Sequence, residues 1–394
     1  MLPRSMLALG LVSCLSTACG MPMFMQADPR PPASADTFKV LTYNALHGLE
    51  VGRFWVRPGE TQEERTGRFT RRVQQLAETQ PDLILLQEVN PLPEMAGEYL
   101  QALRARGLRY SEVHQVDACG LRILPGLTAV PGLNNGLLIL AKAPLQLRKL
   151  DGVKLSGGIG GCHDSWGIQF EEFRYALIAE VTVPVTKMRY LVATMHLHSG
   201  IERDMHVLHE LMQSHSDGRL RQYDELMAVL TANQGRRLME VQMLLEVLRT
   251  FRARQDYAGV IFGGDLNFEA GSAEYREVEE SGFQDTYRLA MAERMLSTYD
   301  SESNPLASHE ESTLPQELVH AIAGESPEDQ KEIVDQYRKA IRMPRRIDFL
   351  FGMSFMPTAC LTQELFGQSE SIGDPTGSDH YGVLNTYAYQ KGRC

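Results

Sequence analysis

The sequence has no excess of positive charge. Its 394 residues include 50 Asp and Glu against 39 Lys and Arg, which gives a formal net charge of -11. Proteins that bind a phosphate backbone usually present a broad positive field, so this composition disfavours nucleic acid as a partner. We expect ordinary solvated faces around the three arginine pairs, Arg71-Arg72, Arg236-Arg237 and Arg345-Arg346.

The apolar stretch near the start is too short to cross a bilayer. It runs from Met6 to Ala18, whereas a spanning helix needs about 20 residues. Arg4 precedes it and small residues follow, which is the layout of an export signal over residues 1–20. Cleavage after the small residues and lipidation of Cys19 both remain open. Either route predicts a protein that is secreted or attached to the cell envelope.

Cysteine is scarce once that signal is set aside. Of six cysteines, four lie beyond it: Cys119, Cys162, Cys360 and Cys394. An even number in an exported chain predicts disulfides, with three connectivities open. Sequence proximity favours Cys119–Cys162 and Cys360–Cys394, and four free buried thiols are the alternative.

The remaining chain predicts one α/β domain. Residues 21–37 are rich in Pro, Ala and Met without periodicity, so we expect a disordered tether there. Residues 38–394 alternate short β-rich runs with helical patterns, and 201–256 and 311–343 are predicted to be helical insertions. The predicted strands include FKVLTYN, DLILLQEV, NGLLILAK, RYALIAEVTV, MRYLVATMHLHS, residues 259–263 and RRIDFLFG.

Polar side chains recur where these apolar strands end. A core strand gains nothing from such an ending unless the polar groups face a site or water. Six occurrences over more than three hundred residues predict one site along a rim of the sheet. The residues are Asn44, Glu88, His196, Asp265 with Asn267, Asp348, and Asp379 with His380.

Such a set supports hydrolysis of a phosphate ester. Mg²⁺, or Mn²⁺ in its place, takes oxygen ligands, for which Glu88, Asn44 and Asp379 are the candidates. Asp265 and Asn267 are suited to orient an attacking water.

Histidines complete the predicted site. His380, held by Asp348 or Asp379, and His196 can share acid, base and charge-stabilising roles. Only one of the two histidines in MHLHSG is expected to enter the site, namely His196, and we expect His198 to be a structural or surface residue. Asn135 could contact a substrate phosphate, although an Asn-Gly turn before a strand is the stronger explanation.

Taken in order, these motifs resemble the endonuclease/exonuclease/phosphatase superfamily over essentially residues 38–390. The resemblance implies a four-layer α/β sandwich, in which two packed mixed β-sheets are flanked by helices. It also implies metal-dependent hydrolysis, with Glu88 as principal metal ligand, Asn44 beside it and Asp348 orienting His380. Either His380 or Asp265 can be the base.

Within the superfamily the chain resembles secreted sphingomyelinases, through its export signal, the Cys119 and Cys162 pair, and the helical stretch after MHLHSG. This resemblance implies a phosphodiesterase acting on a membrane phospholipid such as sphingomyelin, with a disulfide in the Cys119 region. We also expect a monomer. The sequence departs from that group because no exposed aromatic hairpin is evident.

A secreted endonuclease and a non-catalytic, envelope-anchored binding protein are the alternatives. An inositol-polyphosphate phosphatase is disfavoured because GGDLNFEA lacks a following basic residue.

Overall fold

The computed structural model describes most of the predicted domain. The described residues are 37–46, 61–118, 122–124, 127–128, 135–157, 173–199, 223–287, 297–307, 319, 322–341, 343–353, 364–366 and 377–388. All belong to one compact unit, Asp36–Cys394. The predicted export signal, the tether up to residue 36 and all six cysteines, with both predicted disulfides, lie outside the described residues.

Six strands form one mixed sheet, which we call sheet I. In sheet order they are β13 (Glu364–Phe366), β14 (Gly382–Ala388), β1 (Thr37–Asn44), β2 (Leu83–Gln87), β6 (Asn135–Lys142) and β3 (Tyr110–Ala118). β1 is parallel to β2 and antiparallel to β14. The buried run LILLQ of β2 is typical of a strand covered on both faces.

Sheet II is also mixed and has six strands. In sheet order they are β11 (Gln284–Asp285), β12 (Asp348–Met353), β10 (Gly259–Asp265), β9 (Arg189–His196), β8 (Arg174–Thr182) and β7 (Gln146–Ser156). β10 is parallel to β9 and antiparallel to β12. A separate two-stranded ribbon pairs β4 (Arg122–Leu124) with β5 (Leu127–Thr128).

Helices cover the outer faces of both sheets. They are α1 (Gln62–Thr79), α2 (Glu94–Arg104), α3 (Tyr223–Arg254) and α4 (Ala273–Glu280); a further helix, α5 (Pro327–Ile341), precedes β12 in the chain. Buried residues of α1 and α2, such as Val73 and Tyr99, pack with sheet I. Leu244 of α3 and Tyr275 of α4 pack with sheet II. The helix, sheet, sheet, helix order confirms the predicted four-layer sandwich.

A third core lies between the two sheets. Leu85 and Ile139 of sheet I and Val192 and Ile261 of sheet II belong to it, and all four are fully buried. Burying a side chain of this size stabilises the fold by about 1.5–3 kcal/mol. This core fixes the distance between the sheets, so it also fixes how their polar strand ends meet.

Helix boundaries follow from local chemistry. Thr61 and Glu64 form a capping box at the start of α1, and Gln80 ends the helix in a left-handed conformation directly before Pro81. α3 and α5 lie within the predicted helical insertions 201–256 and 311–343, whose remaining described residues are few. In the part of the chain that the structure describes, no helix combines the length and apolar character needed to cross a membrane.

The expectation that the arginine pairs lie on solvated faces was wrong for one member of each pair. Arg237 is 1% exposed and contacts Glu274, 3.2 Å away. Arg346 contacts Asp285 and lies over the Phe349 ring, 4.4 Å from its centroid. Arg72 is also buried. A buried charge needs a partner, and here the partners come from distant parts of the sequence.

Candidate active site

The predicted polar residues meet at the seam between the two sheets. In sheet II, Asp265 at the end of β10 pairs with His196 at the end of β9 and with Asp348 at the start of β12. Asn44 ends β1 in sheet I, and Glu88 follows β2. Parallel neighbours end at the same edge, and antiparallel neighbours begin there, so all five side chains reach one rim.

Asp265 lies at the centre of this group. Its Oδ2 accepts a hydrogen bond from Asn44 Nδ2 at 3.0 Å. The same oxygen lies 3.4 Å from His196 Nε2 and 3.7 Å from His380 Nε2. Its Oδ1 accepts the backbone N–H of Asn267 at 3.2 Å. One carboxylate therefore contacts groups from both sheets.

His380 is fixed by contacts on two sides. Its Nδ1 lies 2.8 Å from Asp348 Oδ2, a hydrogen bond between two buried side chains. The edge of the Tyr299 ring packs against the imidazole, with centroids 5.2 Å apart. Thr298 Oγ1 accepts the backbone N–H of Asp348 at 3.1 Å, so the same segment positions both members of the pair.

Left-handed backbone conformations aim two of the site's side chains. Glu88 has φ of 55° and Asn267 has φ of 50°. A non-glycine residue in this region costs of order 1–3 kcal/mol, and such strain clusters at functional sites. Adjacent side chains of a strand normally point to opposite faces, yet Gln87 and Glu88 both point between the sheets. The left-handed turn at Glu88 allows this and brings its carboxylate within 3.0 Å of Asn44 Nδ2. Asn267 donates its side-chain amide to the Leu197 carbonyl at 3.1 Å.

Burial and mutual repulsion shift the protonation of the central groups. Burial raises the pKa of Asp265 to about 7, and the neighbouring charges of Asp348 and Glu88 act in the same direction. Burial lowers the pKa of His380, but the carboxylates of Asp348, Asp265 and Asp379 outweigh it and hold that pKa well above its ordinary value. Asp265 and His380 therefore both hold a proton more tightly than usual, and shifted pKa values of this kind are typical of groups that act as acids and bases in catalysis.

The donor set fits a hard divalent cation. Among the described residues, two overlapping groups bring ligand atoms within 4.8 Å of one another, one with Glu88, His196 and Asp265 and one with Asp265, Asp348 and His380. In the second group the histidine and Asp348 already bond each other. The first group offers two carboxylates bridged by the amide of Asn44, and carboxylate oxygens are the ligands that Mg²⁺ and Mn²⁺ prefer.

Three predicted residues occupy places that differ from their expected roles. The Asn44 amide oxygen, predicted to bind metal, accepts the backbone N–H of Leu46 at 3.0 Å, while its nitrogen bridges the two carboxylates. Asp379 is buried, accepts the Ser378 hydroxyl and belongs to neither metal-competent group of the described residues. Asn135 begins β6, and its Oδ1 accepts the N–H of its own neighbour Gly136.

The histidine two residues beyond His196 lies outside the cluster. His198 Nε2 lies 2.9 Å from Asn233 Oδ1 of α3. Its backbone N–H donates to the buried Glu240 at 2.8 Å. These bonds attach the end of β9 to α3, which agrees with the structural role expected for His198.

Two features of the site were not predicted. In the part of the chain that the structure describes, no apolar strand adjoins Thr298 and Tyr299 in sequence. The strand-end pattern that predicted the other site residues therefore could not predict these two. The glycines before Asp265 also have a steric role: a Cβ built on Gly264 would lie 1.8 Å from the Met195 carbonyl oxygen. Only glycine allows β9 to approach β10 at this point.

Comparisons with known proteins agree with this geometry. A family profile described as "Endonuclease/Exonuclease/phosphatase family" matches residues 41–380. No curated protein sequence matches the chain. The similar solved structures include truncated TDP2 from Caenorhabditis elegans, with 16% identity and a TM-score of 0.50, covering 89% of this chain and 97% of that one.

Two proteins from Bacteroides thetaiotaomicron are also similar in structure. An endonuclease/exonuclease/phosphatase family protein has 12% identity and a TM-score of 0.52, covering 90% of this chain and 98% of that one. A mannosyl-6-phosphatase has 12% identity and a TM-score of 0.51, covering 88% and 98%. At such low identity these likenesses concern the fold.

Proposed function

The chain belongs to the endonuclease/exonuclease/phosphatase family, and we propose that it is a Mg²⁺-dependent phosphodiesterase that acts outside the cytoplasm. The observation that carries this proposal is the convergence on Asp265 of Asn44 from sheet I, His196 from sheet II and the His380–Asp348 pair. Packing alone gives no reason to bury so many charged groups together, because each costs free energy unless it is paired.

Glu88 and Asp265 would hold the cation. A bound cation would neutralise the negative charge that develops on the phosphoryl oxygens. His196 lies against both carboxylates, 3.8 Å from Glu88 and 3.4 Å from Asp265, so it can contact a phosphoryl group placed beside them.

Proton transfer falls to Asp265 and His380. Asp348 holds the His380 ring through Nδ1, which leaves Nε2 facing Asp265. Either Asp265 Oδ2 or His380 Nε2 takes the proton of an attacking water, and His380 can do so only after it loses the proton that its raised pKa retains. The other group stabilises the charge. Asn267 is fixed by bonds to Leu197 and Asp265 and limits where that water can lie.

A phospholipid such as sphingomyelin is the substrate that we propose. The export signal at residues 1–20 and the helical stretch after MHLHSG support it, since both resemble secreted sphingomyelinases. The net charge of -11 disfavours the alternative of a secreted endonuclease. The fold is shared with a mannosyl-6-phosphatase, so a sugar phosphate monoester belongs in the same test.

The test offers the purified protein four substrates, each with Mg²⁺ and with chelator. They are sphingomyelin in mixed micelles, plasmid DNA, bis(p-nitrophenyl) phosphate and mannose 6-phosphate. We expect hydrolysis of sphingomyelin and of the generic diester, lost in chelator. Cleavage of DNA alone would identify a nuclease, and cleavage of the monoester alone a phosphatase. No turnover of any substrate would support the binding-protein alternative.

A matched pair of variants separates catalysis from general charge effects. Glu88→Gln removes a carboxylate of the site and should abolish hydrolysis. Glu98→Gln removes an exposed carboxylate of α2 and should retain the activity of the unaltered protein.

A further inference from the structure

A polar triad lies in the apolar core between the sheets. Gln87 of β2 donates its side-chain amide to Thr194 Oγ1 of β9 at 2.8 Å, to Thr42 Oγ1 of β1 at 3.2 Å and to the Leu85 carbonyl at 3.1 Å. Gln87, Thr42 and Thr194 are all fully buried. Apolar residues of the same size would fill this space without the cost of burying polar groups. Packing therefore does not explain why these three residues are polar.

The triad lies directly beneath the candidate active site. Thr42 precedes Asn44 by two residues and Thr194 precedes His196 by two, so each pair shares one face of its strand. Gln87 immediately precedes Glu88. Thr42 and Thr194 are thus one layer below residues of the site, and the side chain of Gln87, whose backbone pairs with Asn44, contacts both.

The Gln87–Thr194 bond joins the two sheets where the site requires a defined separation. Asn44 and Glu88 belong to sheet I, whereas His196 and Asp265 belong to sheet II. The contacts that assemble the site cross this gap, at 3.0 Å for Asn44 to Asp265 and 3.8 Å for Glu88 to His196. Apolar contacts tolerate sliding, but a hydrogen bond fixes both distance and direction.

The backbone conformation of Glu88 makes the hydrogen bonds of Gln87 more important. Its left-handed conformation, with φ of 55°, is held only if the surrounding contacts determine it. Gln87 bonds to its own strand, to the neighbouring strand and to the opposite sheet, so it fixes the residue before that turn on three sides.

We propose that Gln87 is a positioning residue, which uses its hydrogen bond to Thr194 to set the separation of Glu88 from His196 and thereby the geometry of the cation site. This inference rests on the proposed metal-dependent hydrolysis. Its consequences also appear in metal binding, which can be measured without turnover.

The experiment compares variants that keep or remove the cross-sheet bond. Thr194→Val keeps the shape of threonine without the hydroxyl, and Thr194→Ser keeps the hydroxyl. Binding of Mn²⁺ is measured by calorimetry, and kcat and KM are measured on the generic diester. Loss of groups that orient metal ligands typically weakens metal binding by about 10–100-fold.

We expect Thr194→Val to weaken Mn²⁺ binding about tenfold and to lower kcat with little change in KM, whereas Thr194→Ser retains both values. Gln87→Met should have the same effect. The double variant Gln87→Met, Thr194→Val should bind Mn²⁺ no more weakly than Gln87→Met alone, because Gln87→Met already removes the bond that Thr194→Val removes.

The chain offers a matched control whose bond contacts no residue of the candidate active site. Thr286 Oγ1 lies 3.1 Å from Tyr387 Oη, another buried bond between the sheets. Tyr387 pairs with Phe38, six residues before Asn44 and so about 20 Å away along the strand. Tyr387→Phe should lower the thermal unfolding midpoint about as much as Thr194→Val while leaving Mn²⁺ affinity and kcat unchanged.

The outcomes separate the two proposals. Unchanged Mn²⁺ affinity in Thr194→Val, or an equal loss in Tyr387→Phe, would overturn the positioning role even if the protein hydrolyses diesters. Weakened Mn²⁺ binding in Thr194→Val alone, without turnover of any substrate by the unaltered protein, would support the positioning role and overturn the proposed function.

Discussion

Asn44 and Asp265 end strands of different sheets, are separated by 221 residues in the chain, and are joined by a hydrogen bond of 3.0 Å. This bond closes the seam between the sheets at the candidate active site. It also brings the amide of Asn44 between the carboxylates of Asp265 and Glu88.

The His380–Asp348 pair should act as one unit. We expect His380→Gln to lower kcat by roughly 10²–10⁴-fold, the range associated with loss of a general acid or base. Asp348→Asn should lower kcat by less, and the double variant should be no slower than His380→Gln, because Asp348 acts through the histidine. Steady-state kinetics on the generic diester measure this. Multiplicative losses in the double variant would show that Asp348 has an independent role.

Glu88→Gly should stabilise the fold and abolish activity. Glycine adopts the left-handed conformation without strain, and the change also removes a carboxylate that raises the pKa of Asp265. We therefore expect the free energy of unfolding, measured in chelator, to rise by about 1 kcal/mol. Urea unfolding measures it. Gln80→Gly is the matched control: Gln80 has φ of 48° at the end of α1, and its replacement should give a similar gain with full activity. A stability loss in Glu88→Gly beside a gain in Gln80→Gly would show that the carboxylate stabilises the fold.

Gly264→Ala should disrupt the site through the backbone. Its Cβ would lie 1.8 Å from the Met195 carbonyl oxygen, so β9 and β10 must separate beside His196 and Asp265. We expect a loss of about 3 kcal/mol or more and loss of activity. Gly97→Ala provides the contrast, because its Cβ meets nothing within 4 Å and the helix α2 should gain about 0.5–1 kcal/mol. Unfolding curves that show Gly264→Ala to be neutral would contradict the close approach.

Asp82 should make stability depend on pH. Burial raises its pKa despite the backbone N–H of Lys39, 2.8 Å away, and the charge of Lys142. A raised pKa means that the folded protein binds more protons than the unfolded chain, so the stability contribution is present below about pH 3.9 and is lost as pH rises through the folded pKa. Asp82→Asn removes this term. The stability of the variant relative to the unaltered protein should therefore increase from pH 3.5 to pH 7, and a decrease measured by urea unfolding would contradict the argument.

The sequence predicted the site better than its surroundings. Asn44, His196 and Asp265 end predominantly apolar strands and Glu88 follows one, and a polar group in that position is visible in the sequence. The strand NGLLILAK was also predicted with its observed bounds, Asn135–Lys142, because buried strands read as apolar runs. Helical spacing predicted the insertion 201–256, within which α3 lies, and an acidic, polar composition predicted the insertion 311–343, within which α5 lies.

Elements without such patterns were not predicted. β7 is an edge strand with two register shifts against β8, and most of its residues are partly or fully exposed, so it lacks both an apolar run and a regular alternation. The ion pairs of Arg237 and Arg346 were missed for a different reason. Arg237 and Arg346 bond to Glu274 and Asp285, which lie 37 and 61 residues away, and no local pattern shows such pairing.

The position of a bound cation tests the central claim most directly. Crystals soaked in Mn²⁺ and measured near the manganese absorption edge would give an anomalous difference peak at each bound ion. The account predicts a peak within about 2–2.5 Å of a Glu88 carboxylate oxygen, with Asp265 beside it, and no such peak in Glu88→Gln. A strong peak elsewhere, or none at this seam in crystals of active protein, would contradict it.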